Sequence, residues 1–163
     1  MKIIIFFISL LIFTSCQKQD DKKVKLLEKK VSLLEEQLTN SYQPGFGEMM
    51  SSIQAHHSKL WFAGKNKNWQ LANFEVKELN EILEDIEKFQ QKRPETTKIK
   101  MIYPALKAID KSVENNDLEQ FKTDFKTLTN ECNQCHRATN FGYNVVKIPE
   151  NTPFTNQEFE VVK

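Results

Sequence analysis

The chain has 163 residues and a formal net charge of +1, and this length suits one domain with a tether. Its lysines are interleaved with acidic residues, which excludes the concentrated basic face of a nucleic-acid-binding protein. Four glycines and five prolines, in a chain rich in Glu, Lys, Leu and Asn, favour an all-helical protein.

Residues 1–15 have the organisation of a signal peptide. Lys2 precedes an apolar run over residues 3–13, which is too short to span a bilayer as a helix. The run Phe13-Thr14-Ser15-Cys16 resembles a bacterial lipoprotein signal, in which cleavage precedes the cysteine and the Cys16 thiol carries a diacylglycerol. Because Phe13 replaces the usual leucine, a plain secretory signal or an uncleaved anchor is the alternative. Each version predicts export, and the lipid version predicts a membrane-anchored protein on the periplasmic or cell-surface side.

Residues 16–43 are predicted to form a tether. A polar leader over residues 17–23 is followed by apolar residues that alternate spacings of three and four, as in a heptad seam. These residues are Val24, Leu27, Val31, Leu34 and Leu38, with Leu26 and Leu33 beside them. One interpretation is a short parallel coiled coil of two or three copies. The other is a single amphipathic helix lying on its own domain, because little more than two heptads is marginal for self-association. Residues 40–47, with Pro44, break the helix and mark the domain boundary.

Four amphipathic segments follow with short connections, which predicts an up-down-up-down four-helix bundle. The first extends from about residue 48 to 63 and stops at Gly64, with the apolar stripe Met50, Ile53, His57 and Leu60. The second follows an Asn68 cap and ends before Pro94, with the stripe Ala72, Val76, Leu79, Leu83 and Ile86.

The third segment starts at about residue 97, and Pro104 is expected to kink its first turns. Its stripe consists of Ile99, Ile102, Leu106, Ile109 and Val113. Asn116, with Glu119 three residues later, is predicted to cap the fourth helix. One face of that helix carries Leu118, Phe121, Phe125, Leu128, Cys132 and Cys135, so that two thiols continue the core stripe.

Cys132, Cys135 and His136 form a C-x-x-C-H motif at the end of the fourth helix, which is the attachment signature of a c-type haem. Helical spacings of three and four residues place all three side chains on one face, where they can meet one edge of a flat ligand. A zinc site would need a second Cys/His pair, and the only other cysteine is Cys16. A thioredoxin-like motif should open a helix after a strand, whereas this one closes a helix.

A four-helix domain whose last helix ends in this motif resembles the class II c-type cytochromes, the cytochrome c-prime group, over roughly residues 44–140. The resemblance implies one haem c held inside the bundle by thioether bonds to Cys132 and Cys135. It also implies that His136 is the proximal iron ligand and that the first helix forms the distal side. Some members keep an apolar distal residue and a five-coordinate iron that binds small gases, whereas others supply a methionine and transfer electrons.

The distal iron ligand has few candidates. In an up-down bundle the start of the first helix lies level with the end of the fourth, which favours Met50, on the apolar stripe, over Met49. His57 lies on the same stripe but about 10 Å further along the axis. The alternative role for Met50 is core packing. His56 and His57 are expected to form a polar pair at the bundle edge, and Arg137 to pair with a haem propionate or to cap the helix.

Residues 141–163 lie outside the resemblance. Their pattern of apolar residues and prolines predicts an extended segment with buried anchors: Val145, Val146, Ile148, Phe154 and Phe159. One hypothesis is that this segment folds over the haem edge and limits solvent access, and the other is that it packs along the outside of the bundle.

The sequence therefore predicts a membrane-anchored monohaem electron carrier that is not an enzyme and binds no nucleic acid. Its expected partners are an unidentified redox protein, the membrane and, on the coiled-coil interpretation, further copies of the chain through residues 24–38. The first alternative is a five-coordinate haem protein that senses or scavenges a gas of the NO or CO type. The second is a structural lipoprotein in which the haem stabilises the bundle.

Overall fold

The structure is a computed structural model that describes residues 21–38 and 44–162. The predicted signal peptide, Cys16 and residues 40–43 of the predicted boundary lie outside the described residues. Within the described ranges the chain contains six helices and no strand, so the all-helical prediction is confirmed. None of these helices is both long enough and apolar enough to cross a membrane. The helix over 21–38 belongs to one compact unit, and residues 44–162 belong to another.

Helix α1 covers residues 21–38, and every one of these residues is exposed. The apolar stripe lies along this helix, with exposed fractions from 51% for Val24 to 68% for Leu38. A helix with so much exposed leucine and valine presents an unusual surface, because contiguous apolar patches on soluble proteins commonly mark contacts.

Helices α2 (Phe46–Lys65) and α3 (Trp69–Phe89) are joined by a tight turn. Helix α2 continues through the expected stop at Gly64 and ends two residues after Ala63, the predicted last residue. Lys67 adopts a left-handed conformation in the turn, with φ 57°. The Asn68 side chain then accepts a hydrogen bond from the amide of Leu71 at 3.2 Å, which confirms the predicted cap. Such a cap stabilises a helix by about 1 kcal/mol.

The predicted third helix is wrong in its first half. Residues Pro94–Met101 form a 3-10 helix, and α4 (Tyr103–Glu114) begins only afterwards. The hydroxyl of Thr96 donates to the carbonyl of Gln90 at 2.7 Å and ties the 3-10 helix to the end of α3. Pro104 lies in the first turn of α4, where its missing amide costs no hydrogen bond, so it starts the helix and does not kink it.

Helix α5 (Leu118–Ala138) is capped by Asp117, not by Asn116 as predicted. The Asp117 carboxylate accepts from the amides of Glu119 and Gln120 at 3.1 and 3.0 Å. Asn116 instead adopts a left-handed turn conformation, with φ 55°, which asparagine tolerates well. The cap is displaced by one residue because Asn116 is needed for the turn from α4.

The helices of this unit pack around one core, with contacts between α2 and α3, α3 and α4, α4 and α5, and α5 and α2. Residues late in α2 meet residues early in α5, since the Trp61 and Phe125 rings are 4.9 Å apart. Gly64 allows a close approach of α2 to α5, because a methyl group added there would overlap the Phe121 ring. The aromatic end of the core thus lies at the start of α5, and the end of α5 lies at the other end of the core.

The C-terminal segment, residues 141–162, contains no helix and packs on the bundle. Phe159 is buried, with its ring 5.7 Å from that of Phe62, and Ile148 packs on the core. Two expected anchors are wrong, because Val145 and Phe154 are exposed. The segment therefore extends from the end of α5 back to the α2–α3 turn, where the Asn68 amide group donates to the carbonyl of Glu160 at 3.2 Å.

Candidate functional site

A cavity of about 280 Å³ lies among helices α2 to α5, the 3-10 helix and the C-terminal segment. Its walls are mostly apolar and include Phe46, Ile53, Leu79, Leu83, Ile99, Ile102, Leu106 and Leu128. A few polar groups converge on it from the end of α5 and from the 3-10 helix. An apolar cavity with a small number of placed polar groups is the usual form of a cofactor or small-molecule site.

The three residues of the C-x-x-C-H motif line this cavity. Cys132, Cys135 and His136 lie in the last two turns of α5, where their helical spacing puts them on a common face. Cys135 is buried and Cys132 half-buried, and neither forms a disulfide. Two free thiols and an imidazole therefore border the same cavity.

The thiols of the motif are poorly suited to disulfide exchange. Burial raises the pKa of Cys132 to about 12, and the neighbouring Cys135 adds to the shift. Burial also raises the pKa of Cys135, although Lys98 opposes this. The motif lies at the negative, C-terminal end of α5, whereas redox-active C-x-x-C sites lower the thiol pKa at a helix N-terminus. Both groups are therefore protonated thiols at neutral pH.

The imidazole of His136 is held in one tautomer. Its Nδ1 lies 2.6 Å from the carbonyl oxygen of Asn144, and only an N–H can donate to a carbonyl. In the neutral ring, Nε2 then carries the lone pair. A metal-binding histidine commonly donates its second ring N–H to a backbone carbonyl in this way, which orients the ring and raises its basicity.

The C-terminal segment is fastened to the motif by Asn133, one of the two variable residues of C-x-x-C. The Asn133 side chain donates to the carbonyl of Val146 and accepts from its amide, both at 2.8 Å. Phe141, Asn144 and Val146 consequently line the same cavity as the cysteines. The segment thus forms one wall of the site.

The residues that the sequence suggested as distal iron ligands lie in different parts of the structure. Met50 and His57 both line the cavity, whereas Met49 is buried in the core. His56 points to another partner, with its Nδ1 2.7 Å from the buried carboxylate of Glu75. His56 is half-buried and His57 is buried, as expected for this polar pair, and the two side chains have separate partners. Met50 is the methionine of α2 that borders the space next to the motif.

His57 is neutral in the folded protein. Its Nε2 lies 2.9 Å from the hydroxyl of Thr129, and that hydroxyl donates its own hydrogen to the carbonyl of Phe125. His57 must therefore donate from Nε2. Burial lowers the pKa of His57 to about 4, which agrees with an uncharged ring packed 4.4 Å from the ring of Phe125.

Arg93 is the cationic side chain on the cavity wall, and sequence analysis missed it. It pairs with Glu95 at 3.0 Å, lies over the Phe46 ring at 5.3 Å, and remains partly exposed. The second carboxylate oxygen of Glu95 is buried without a hydrogen-bond partner. Arg137, the residue expected to meet a propionate, is exposed and is not part of the cavity wall. A lone arginine in a helix connection carries no periodic signal, so only the folded structure identifies it.

No three His, Cys, Asp or Glu side chains among residues 21–38 and 44–162 are grouped so that they alone could hold a metal ion. Comparison with known proteins gave no match to a family model, to a curated protein or to a solved structure.

Proposed function

We propose that this protein is a membrane-anchored c-type cytochrome with one covalent haem, and that it carries electrons outside the cytoplasmic membrane. The proposal includes an up-down-up-down arrangement of α2 to α5, as in the cytochrome c-prime group. It assigns no substrate chemistry to the protein.

The observation that supports this proposal best is that Cys132, Cys135 and His136 line one mostly apolar cavity. The donor set fits haem c, because it combines two protonated thiols with an imidazole whose Nε2 is available. Each thiol S–H can add across one vinyl group, which forms a thioether and needs no external oxidant. The apolar walls suit a flat hydrophobic ligand, and Arg93 lies where a carboxylate could be bound.

When bound, such a group supplies an iron that changes between the ferric and ferrous states. The residues of this chain then have separate tasks. His136 would bind the iron, and Asn144 would keep its ring oriented. Met50 would supply the second protein ligand, and the apolar walls would limit the access of water to the site. A Met/His ligand pair raises the reduction potential and favours electron transfer.

The experiment that tests the proposal begins with covalent attachment. Haem should stay with the denatured polypeptide after acid and organic extraction, and the variant with Cys132→Ala and Cys135→Ala should lose it. A host with c-type haem maturation must be used for both proteins. If haem is freely extracted from the natural sequence, the proposal is wrong.

An optical spectrum of the reduced protein then separates the two haem functions. A low-spin spectrum that does not change with carbon monoxide supports the electron carrier. A high-spin ferrous spectrum that shifts on adding carbon monoxide supports a gas-binding protein, in which Met50 only packs in the cavity.

A further inference from the structure

The apolar stripe of α1 has a charge pattern that identifies what covers it. In heptad notation, Val24, Val31 and Leu38 occupy position a, and Leu27 and Leu34 occupy position d. All five side chains are at least half exposed on a continuous helix. Valine at a with leucine at d is the combination that favours two-stranded parallel coiled coils.

The residues that flank the stripe are charged in a consistent order. Position g holds Lys23 and Lys30, and position e holds Glu28 and Glu35. In a parallel pair of helices, position g of one copy meets the following position e of the other. Lys23 then meets Glu28 of the other copy, and Lys30 meets Glu35, so all four contacts join opposite charges.

An antiparallel pair would reverse this result. Position g would then face position g and position e would face position e, which sets lysine against lysine and glutamate against glutamate. Like charges in these positions oppose association. The charge order therefore selects both a second copy of this chain and its direction.

We infer that α1 is a parallel, two-stranded coiled coil that joins two copies of this protein through residues 24–38. The inference does not depend on the cavity or on a cofactor. It assigns the exposed stripe to a homodimer, and it predicts that the protein presents two copies of its globular unit from one tether.

Sedimentation of the full chain over a hundredfold concentration range tests the stoichiometry. The expected species is a dimer. Leu26 and Leu33 occupy position c and add apolar surface beside the seam, so a trimer or larger assembly is the result that would overturn the two-stranded assignment. A monomer at every concentration would overturn the interface itself.

A matched pair of variants tests the charge pattern. Lys23→Glu with Lys30→Glu places two glutamates at each of the four flank contacts and should raise the dimer dissociation constant at least about tenfold. Lys22→Glu with Lys29→Glu makes the same charge change at position f, which faces away from the seam, and should leave the constant within about twofold of the natural value. Equal effects of the two variants would overturn the inference.

Complementation between variants tests whether the partner is a second copy of this chain, and cross-linking tests whether the two helices are parallel. The Lys23→Glu/Lys30→Glu chain should form a heterodimer when it is mixed with a Glu28→Lys/Glu35→Lys chain.

A zero-length carbodiimide reagent, applied to a mixture of isotopically light and heavy natural chains, should join Lys23 of one copy to Glu28 of the other. Residues five apart on one helix point in different directions, so a link within one chain is not expected. Dimers without this link between light and heavy chains would overturn the parallel direction.

Discussion

His136 donates its Nδ1 hydrogen to the carbonyl oxygen of Asn144 across 2.6 Å, and this bond connects the last turn of α5 to the C-terminal segment. The segment is therefore part of the site and not an appendage of the bundle. Because Asn133 holds the same segment two residues later, the motif and the wall that faces it are ordered together. Orientation of His136 then depends on residues that follow the helix.

The contact between Asn133 and Val146 should contribute measurably to the free energy of unfolding. Asn133→Ala removes two hydrogen bonds to Val146, each with a net contribution of about 1 kcal/mol, so unfolding should require about 2 kcal/mol less. Hydrogen exchange at the Val146 amide should accelerate in parallel. Asn130→Ala, at an exposed position of the same helix, serves as the control. Equal behaviour of the two variants would show that the segment does not need Asn133.

Met50→Ala should separate iron ligation from packing. If Met50 binds iron, its removal should convert the ferrous protein towards high spin, create carbon monoxide binding and lower the reduction potential. Met49→Ala is the matched control, because Met49 is buried in the core and does not border the cavity. Met49→Ala should lower the free energy of unfolding by about 2 kcal/mol or more without changing the spectrum. An unchanged spectrum and potential in Met50→Ala would favour the gas-binding alternative.

Membrane attachment should depend on Cys16. Attachment of two acyl chains anchors a protein stably, since each buried methylene contributes about 0.8 kcal/mol and one chain alone is marginal. Cys16→Ser should block lipid labelling and normal processing of the chain. The cysteines of the C-x-x-C-H motif provide the control, because Cys132→Ala should leave labelling intact. Unaltered labelling of Cys16→Ser would refute the lipoprotein assignment.

Stability should fall in mild acid because of His57. Its pKa is lowered from 6.5 to about 4 by burial, so between these values the unfolded chain binds a proton that the folded chain does not. A group with a depressed pKa of this kind stabilises the fold above 6.5 and loses that contribution as the pH falls towards 4. The contribution of His57 to the free energy of unfolding is therefore about 2 kcal/mol smaller at pH 5 than at pH 7.5.

His57→Gln tests this assignment, since glutamine can still donate to Thr129 but does not titrate. Urea unfolding at the two pH values should show a difference about 2 kcal/mol smaller in His57→Gln than in the natural protein. Identical pH dependence in the two proteins would mean that other groups control acid stability.

Local patterns explain which elements were predictable. The stripes of α2, α3 and α5 and the Asn68 cap depend on residues a few positions apart, and periodicity detects such relations. The third helix was partly mispredicted because the apolar residues Ile99 and Ile102 continue the helical period across a 3-10 helix. Thr96 secures that helix through a carbonyl six residues earlier, a contact without a periodic signature.

The sequence predicted the α5 side of the site and, on α2, Met50 and His57, which line the same cavity. Cys132, Cys135 and His136 form a local motif, so their common face follows from helical geometry. The opposing wall comes from Asn144 and Val146, whose contacts are side chain to backbone and have no sequence pattern. Arg93 reaches the cavity because the 3-10 helix folds across it, which no local spacing indicates.

If the cavity binds haem as proposed, Arg93 should replace Arg137 as the residue that binds a haem carboxylate, because Arg93 lines the cavity and Arg137 does not. A nearby guanidinium lowers the pKa of a carboxyl group, and ionisation of that carboxyl group makes the reduction potential depend on pH. In Arg93→Gln the onset of this pH dependence should therefore move to higher pH, by up to about one pH unit. The partial exposure of Arg93 limits the effect. Arg93→Lys keeps the charge, so its reduction potential should depend on pH almost as in the natural protein. In Arg137→Gln this pH dependence should not change. A potential profile that moves in Arg137→Gln but not in Arg93→Gln would restore the assignment based on sequence.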